Sequence, residues 1–147
     1  MKIQIPDYIQ VLIDLLNQNH YSAYVVGGAI RNALLGLPIH DYDLTTDATP
    51  DEMLQVFSSY RLFKTGIQHG TITVLSKGQP VEITTFRSEN TYEDHRHPSG
   101  VSFSDNIEED CKRRDFTINA LCYNQSEGLI DFFGGIQDLQ HKIIRCI

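Results

Sequence analysis

Two β-rich runs, residues 71–75 and 81–86, stand on either side of Ser76-Lys77-Gly78-Gln79-Pro80, and no other stretch narrows the choice of fold as far. Runs dense in Thr, Val and Ile favour the pleated strand, and a short linker holding Gly and Pro closes two of them as a hairpin. Helical signals lie on both sides of that hairpin. Tyr8, Val11, Leu12, Leu15 and Leu16 fall at helical spacing within residues 7–19, with Asp7 as the expected cap. Residues 23–26 read as a buried strand running into Gly27-Gly28, and residues 29–35 as a helix stopped by Gly36. Residues 41–46 form a second strand candidate. Thr49-Pro50-Asp51-Glu52 combines an N-cap, a proline at the first helical position and an acid three residues past the cap, which predicts a helix to about residue 57. Beyond the hairpin, residues 87–100 are polar and aperiodic, a long loop. Residues 107–123 read as helical with a break at Arg114-Asp115, residues 129–132 as a strand, and residues 134–141 as a turn and short helix. The sum is an α+β domain: a mixed β-sheet with helices packed mainly on one side.

A chain of 147 residues with 41% hydrophobic composition supports one core rather than two. Cys111, Cys122 and Cys146 lie far apart without a CxxC pair, which argues against a zinc cluster or a disulfide framework and for a reducing, cytoplasmic setting. Met1-Lys2-Ile3 breaks at Pro6-Asp7 without the apolar core of a signal peptide, and no stretch approaches membrane-spanning length. A formal charge of −7 is unsuited to a continuous RNA track, since phosphate neutralisation needs a surplus of Lys and Arg. The cations are instead grouped: Lys112, Arg113 and Arg114 are consecutive, and Arg87, Arg96 and His97 lie upstream in one polar region, a pattern suited to a phosphate pocket.

Chemistry enters with Asp41-Tyr42-Asp43. On a strand, side chains two apart share a face, so both carboxylates project together as hard oxygen donors; the same string also marks many solvated turns. Gly27-Gly28 at a strand-to-helix junction, followed by Arg31, lets backbone amides approach an anion at a helix N-terminus, and equally serves a turn that needs positive φ. No Walker lysine loop and no GxGxxG is present. Glu82 lies in Val81-Glu82-Ile83-Thr84, where it is either a third carboxylate for a two-metal site or the outward residue of a simple alternation. Lys112 to Ala120 places cations ahead of a mixed polar and apolar segment, which also fits a solvated helix end. His95-x-His97, in a polar loop with no nearby Cys, reads as solvated rather than as a transition-metal site.

Taken jointly, Tyr24 to Arg31, Asp41 to Thr46, His69-Gly70-Thr71, Glu82 to Arg87 and Arg113-Arg114-Asp115-Phe116-Thr117-Ile118-Asn119-Ala120 resemble the head domain of the bacterial tRNA CCA-adding nucleotidyltransferase and poly(A) polymerase family. Asp131 to Asp138 is similar to the hinge motif of that family. The resemblance implies a polymerase-β-like nucleotidyltransferase fold, with residues 1–130 as the catalytic head and 131–147 as the hinge and the start of a neck. It implies template-independent addition of CMP and AMP from CTP and ATP to the tRNA 3′ end by two-metal phosphoryl transfer. Asp41 and Asp43 would bind Mg2+, with Glu82 as a further catalytic carboxylate; Gly27, Gly28, Arg31, Arg114, Asp115 and Asn119 would bind nucleotide. The segment from Tyr92 to His97 resembles the flexible loop of the family.

Two departures bear on function. Asn32 stands where the family usually has Asp, removing a negative charge beside the phosphate site while keeping a hydrogen-bonding amide. The chain also ends before the neck motif that selects CTP and ATP. Alternative expectations are therefore a poly(A) polymerase or A-adding head, a nucleotide-binding module without useful catalysis, or a small stand-alone nucleotidyltransferase acting on a protein or drug.

Overall fold

The computed structural model describes residues 2–88 and 102–147. In chain order the elements are α1 (Asp7–Gln18), β1 (Ala23–Val26), α2 (Gly28–Leu35), β2 (Asp43–Thr46), α3 (Pro50–Val56), β3 (Arg61–Phe63), β4 (Thr71–Ser76), β5 (Gln79–Thr85), β6 (Arg87–Ser88), β7 (Ser102–Phe103), α4 (Ile107–Lys112), β8 (Leu121–Asn124), β9 (Gly128–Asp131) and α5 (Gly135–Gln140). Short 3-10 turns occupy Ile67–His69 and Thr117–Asn119. Seven strands make one sheet in the order β3-β4-β5-β2-β1-β8-β9, and β6 pairs with β7 in a separate ribbon. Within the sheet β2 and β5 run parallel, while the other pairs are antiparallel.

The hairpin at the centre of the sequence reading is present, with a tighter turn than expected. Lys77 and Gly78 take φ values of 48° and 80°, so two left-handed residues reverse the chain and the strands reach inward to Ser76 and Gln79. The Thr49 cap of α3 is a complete capping box with Glu52. Helix α1 differs in detail: Pro6 rather than Asp7 occupies the cap and no side chain caps it, and the fully buried stripe is Ile9, Leu12, Ile13 and Leu16, one step round from the predicted face. Residues 121–123 overturn the helical expectation for 107–123. Leu121 and Tyr123 enter the main core while Cys122 enters a second one; an apolar run buried on both faces is a strand that periodicity alone cannot separate from helix. The short strand β3 was not anticipated, and the predicted segment from Tyr92 to His97 lies outside the described residues.

Strand β1 shows how the sheet divides the interior. Ala23 and Val25 join the large cluster with α1, α2 and α3, whereas Tyr24 and Val26 join a smaller cluster with Phe86, Cys111 of α4, Ala120 and Cys122. The helices thus fall mainly on one face, as the sequence predicts. In the smaller cluster Cys111 and Cys122, distant in sequence, sit with their Sγ atoms 3.0 Å apart as free thiols. Among the described residues no helix is long and apolar enough to cross a membrane.

The C-terminal segment closes over the turn at Thr117. The Thr117 amide donates to the Arg145 carbonyl at 2.9 Å, and the Thr117 hydroxyl donates to Asp138 Oδ2 at 2.6 Å. Gly135 lies so close beneath that a Cβ there would stand 2.3 Å from the Thr117 carbonyl oxygen. Gly135→Ala should therefore lower stability by about 1–3 kcal/mol, the usual cost of forcing an extra carbon into a packed site, read as a lower urea midpoint with an unchanged m-value.

Candidate active site

Where β1 ends and β2 and β8 begin, the backbone opens into a cleft of about 420 Å³ lined by Gly27, Gly28, Arg31, Asp43, Arg113, Arg114, Asp115 and Asn119. Its floor is the Gly27-Gly28 junction. Gly27 caps α2 with φ 75° and ψ −139°, a conformation that penalises any side chain, and a Cβ on it would sit 3.8 Å from Arg114 Nη1. The backbone thus passes under a guanidinium with no side chain between. No side chain caps α2, so its N-terminus presents partial positive charge to the cleft.

One wall is cationic. Arg31 Nη1 donates to Asn119 Oδ1 at 2.8 Å, and Asn119 Nδ2 donates to Asp115 Oδ1 at 3.2 Å, so three residues expected to bind nucleotide are tied in one chain of hydrogen bonds. That amide and the Phe116 N–H hold the Asp115 carboxyl below the usual carboxylate range. Asn32 accepts from Arg31 Nε at 3.2 Å and donates to the Pro38 carbonyl at 3.1 Å. Neutral Asn32 therefore orients the guanidinium through its amide oxygen.

The other wall is acidic. Strand β2 starts at Asp43, so Asp41 precedes it rather than forming the two-apart strand pair expected from sequence. The parallel register places Asp43 directly opposite Glu82, and neighbours in register share a sheet face. Asp41 and Glu82 both add negative charge at Asp43 without lining the cleft itself. Asp43 stays exposed at the cleft mouth, yet its carboxyl is raised above its ordinary range, first by partial loss of solvent, then by Glu82, with Arg114 opposing and Asp41 adding to the rise. Among the described residues no three His, Cys, Asp or Glu side chains form a complete metal cage. The crowding of Asp43 by like charge is nevertheless what a cation relieves, and magnesium needs only one or two protein carboxylates, the rest of its shell being phosphate oxygen and water. The donor set fits that ion.

The sequence places Arg113, which lines the cleft, among the cations suited to a phosphate pocket without assigning it to nucleotide, and it does not single out Asp110, which is fully buried behind it. Asp110 accepts from Arg113 Nε at 3.3 Å and Arg114 Nη2 at 3.1 Å. An acid three and four residues before two arginines on a helical segment was the available signal.

The chain carries the poly A polymerase head domain over residues 23–145. It belongs to that family. The CCA-adding enzyme of Ligilactobacillus salivarius is 47% identical over 136 residues, covering 92% of this chain and 33% of that protein. Among solved structures, the Bacillus stearothermophilus CCA-adding enzyme in complex with CTP superposes with a TM-score of 0.84 at 38% identity, over 97% of this chain and 34% of that one. The Thermotoga maritima CCA-adding enzyme complexed with tRNA gives 0.73 at 27% identity, over 99% of this chain and 37% of that one. This chain therefore spans about a third of the length of the relatives it matches. The polymerase-β-like head expected from the sequence is its fold.

A carboxyl whose folded pKa is raised costs stability once ionised, and the cost vanishes at low pH where both states are protonated. Asp43→Asn should therefore raise the thermal midpoint at pH 7 without divalent metal. The gain should shrink as pH falls through the raised Asp43 pKa into the ordinary carboxylate range, as followed by melts across that interval.

Proposed function

We propose that this chain is the catalytic head of an RNA nucleotidyltransferase that adds CMP and AMP from CTP and ATP to the 3′ end of tRNA, working in the cytoplasm. The observation that carries the reading is the opposition of two charges across one cleft: the carboxylate of Asp43, with Glu82 and Asp41 adding negative charge beside it, and the guanidiniums of Arg31 and Arg114 over a glycine floor at a helix N-terminus. A nucleoside triphosphate with its magnesium ion is the ligand whose charges match both walls at once. The similarity to CCA-adding enzymes, one of them complexed with CTP and one with tRNA, supports the substrate class. Residues 1–130 form the head in this reading, and 131–147 the start of the connection to a neck.

Each assigned residue has a physical task. Asp41 and Asp43 would hold the magnesium, with Glu82 in register beside Asp43 as a supporting carboxylate. Bound there, magnesium supplies positive charge to the phosphate oxygens and lowers the pKa of the attacking 3′-hydroxyl. Gly27 and Gly28 let the triphosphate approach backbone amides, where a Cβ at Gly27 would stand in the path. Arg31 and Arg114 neutralise the triphosphate with charge-assisted hydrogen bonds. Asp115 and Asn119, already bonded to each other, face the sugar as an acceptor and donor pair. Positioning and charge of this kind are most of what phosphoryl transfer asks of a protein.

The test is to titrate magnesium and then ATP or CTP into the chain by calorimetry, with Asp41→Ala/Asp43→Ala as control. Magnesium-dependent triphosphate binding is expected in the native chain. The double variant should lose affinity by more than the about 10–100-fold that loss of an outer-shell partner typically costs a metal site, with its circular dichroism unchanged. Equal binding in both proteins would remove the carboxylates from the site.

A further inference from the structure

Asp110 stands at the junction of the two walls. Its residue is 0% exposed, and an ionised carboxylate in that position is tolerated only if it is paired and hydrogen-bonded. It is paired to excess. Oδ1 accepts from the Arg87 backbone N–H at 2.9 Å and from Arg113 Nε at 3.3 Å; Oδ2 accepts from Arg114 Nη2 at 3.1 Å and from the Thr45 hydroxyl at 3.3 Å. Thr45 lies two residues along β2 from Asp43, on the same face, and its hydroxyl shares its one proton between Asp110 Oδ2 and the Thr84 carbonyl of β5 at 3.1 Å. One carboxylate therefore ties the cationic wall to both strands that carry the acidic wall.

The charge balance is uneven. Three guanidiniums, Arg87, Arg113 and Arg114, surround this single anion, and burial and the neighbouring Arg113 pull the Arg87 pKa below its usual value. Among the described residues the Nε atoms of Arg87 and Arg114 are buried without a hydrogen-bond partner. Asp110 thus holds the guanidiniums of Arg113 and Arg114, and its single negative charge leaves the group of three arginines with a positive surplus.

We propose that Asp110 is the positioning residue of the nucleotide cleft: it acts through Arg114, with Arg113 beside it, to set the guanidinium that meets the triphosphate and to hold it at a fixed offset from Asp43. This rests on the nucleotide reading given above. Asp110 touches neither substrate nor metal; its effect reaches the ligand only through the arginines.

The experiment measures the affinity of the native chain for magnesium ATP and for AMP, and then of Asp110→Asn, Arg114→Gln and the double variant. Asp110→Asn should weaken ATP binding about tenfold or more, the factor carried by a hydrogen bond to a charged group, and AMP binding by less than about twofold. The double variant should bind ATP no worse than Arg114→Gln alone, because the second change has nothing left to act on. Native ATP affinity in Asp110→Asn, equal losses for ATP and AMP, or additive losses in the double variant would each overturn the proposal. Should Asp110→Asn fail to fold, Thr45→Val carries the same cycle, since it removes one of the two donors to the carboxylate that are not guanidinium groups. Absence of ATP binding in the native chain would sink the nucleotide reading itself, a result separate from any behaviour of Asp110.

Discussion

The parallel pairing of β2 with β5 is the contact on which the rest of the molecule depends. Every other pair in the main sheet is antiparallel, and a parallel neighbour needs a crossover rather than a tight turn. Here the crossover is α3, β3 and the β4 arm of the hairpin. That excursion brings Glu82 to the side of Asp43, although they are 39 positions apart in the numbering. It also sends Leu44 and Ile83 together into the large core, so the hydrophobic pattern and the acidic pair are held by the same register. A slip of one residue would turn Glu82 into the core and Ile83 to the surface, exchanging a buried apolar side chain for a buried charge.

The two faces of the sheet then divide the labour. The larger cluster with α1, α2 and α3 supplies most of the burial. The smaller one under α4 is only a few side chains wide, yet its rim carries Asp110, Arg113 and Arg114. Thr45 and Asp43 point toward that second face, so the strand end that is acidic and the helix end that is basic meet where burial is thinnest and a ligand can enter.

Much of this was legible in the residues. The hairpin, the Thr49 capping box and the glycine stop of α2 are local signals with local causes, and each forms where the chemistry predicts. The glycine junction and the arginines were recognisable because they recur as a set in a known family. What escaped was decided by partners distant in sequence. Residues 121–123 become β8 because β1 needs a second neighbour, which periodicity cannot report. Asp110 lay inside an acidic run, Glu108-Glu109-Asp110, and only its spacing to Arg113 and Arg114 sets the one carboxylate that turns inward apart from the two that face water. Asp41 fell outside β2 because the strand begins only where β1 offers Val26 as a partner for Asp43.

The packing of Gly135 beneath Thr117 and the bond from the Thr117 amide to Arg145 also say something about order in time. Asn119 faces the cleft from that turn, yet its support comes from residues translated after it. On the ribosome the early strands and α1 can collapse first, since domains fold as their elements emerge. The turn that carries Asn119 lacks its support until about residue 145 has left the exit tunnel, so a nascent chain stalled short of that point would carry the acidic residues in place and the bond from Arg31 to Asn119 still unset.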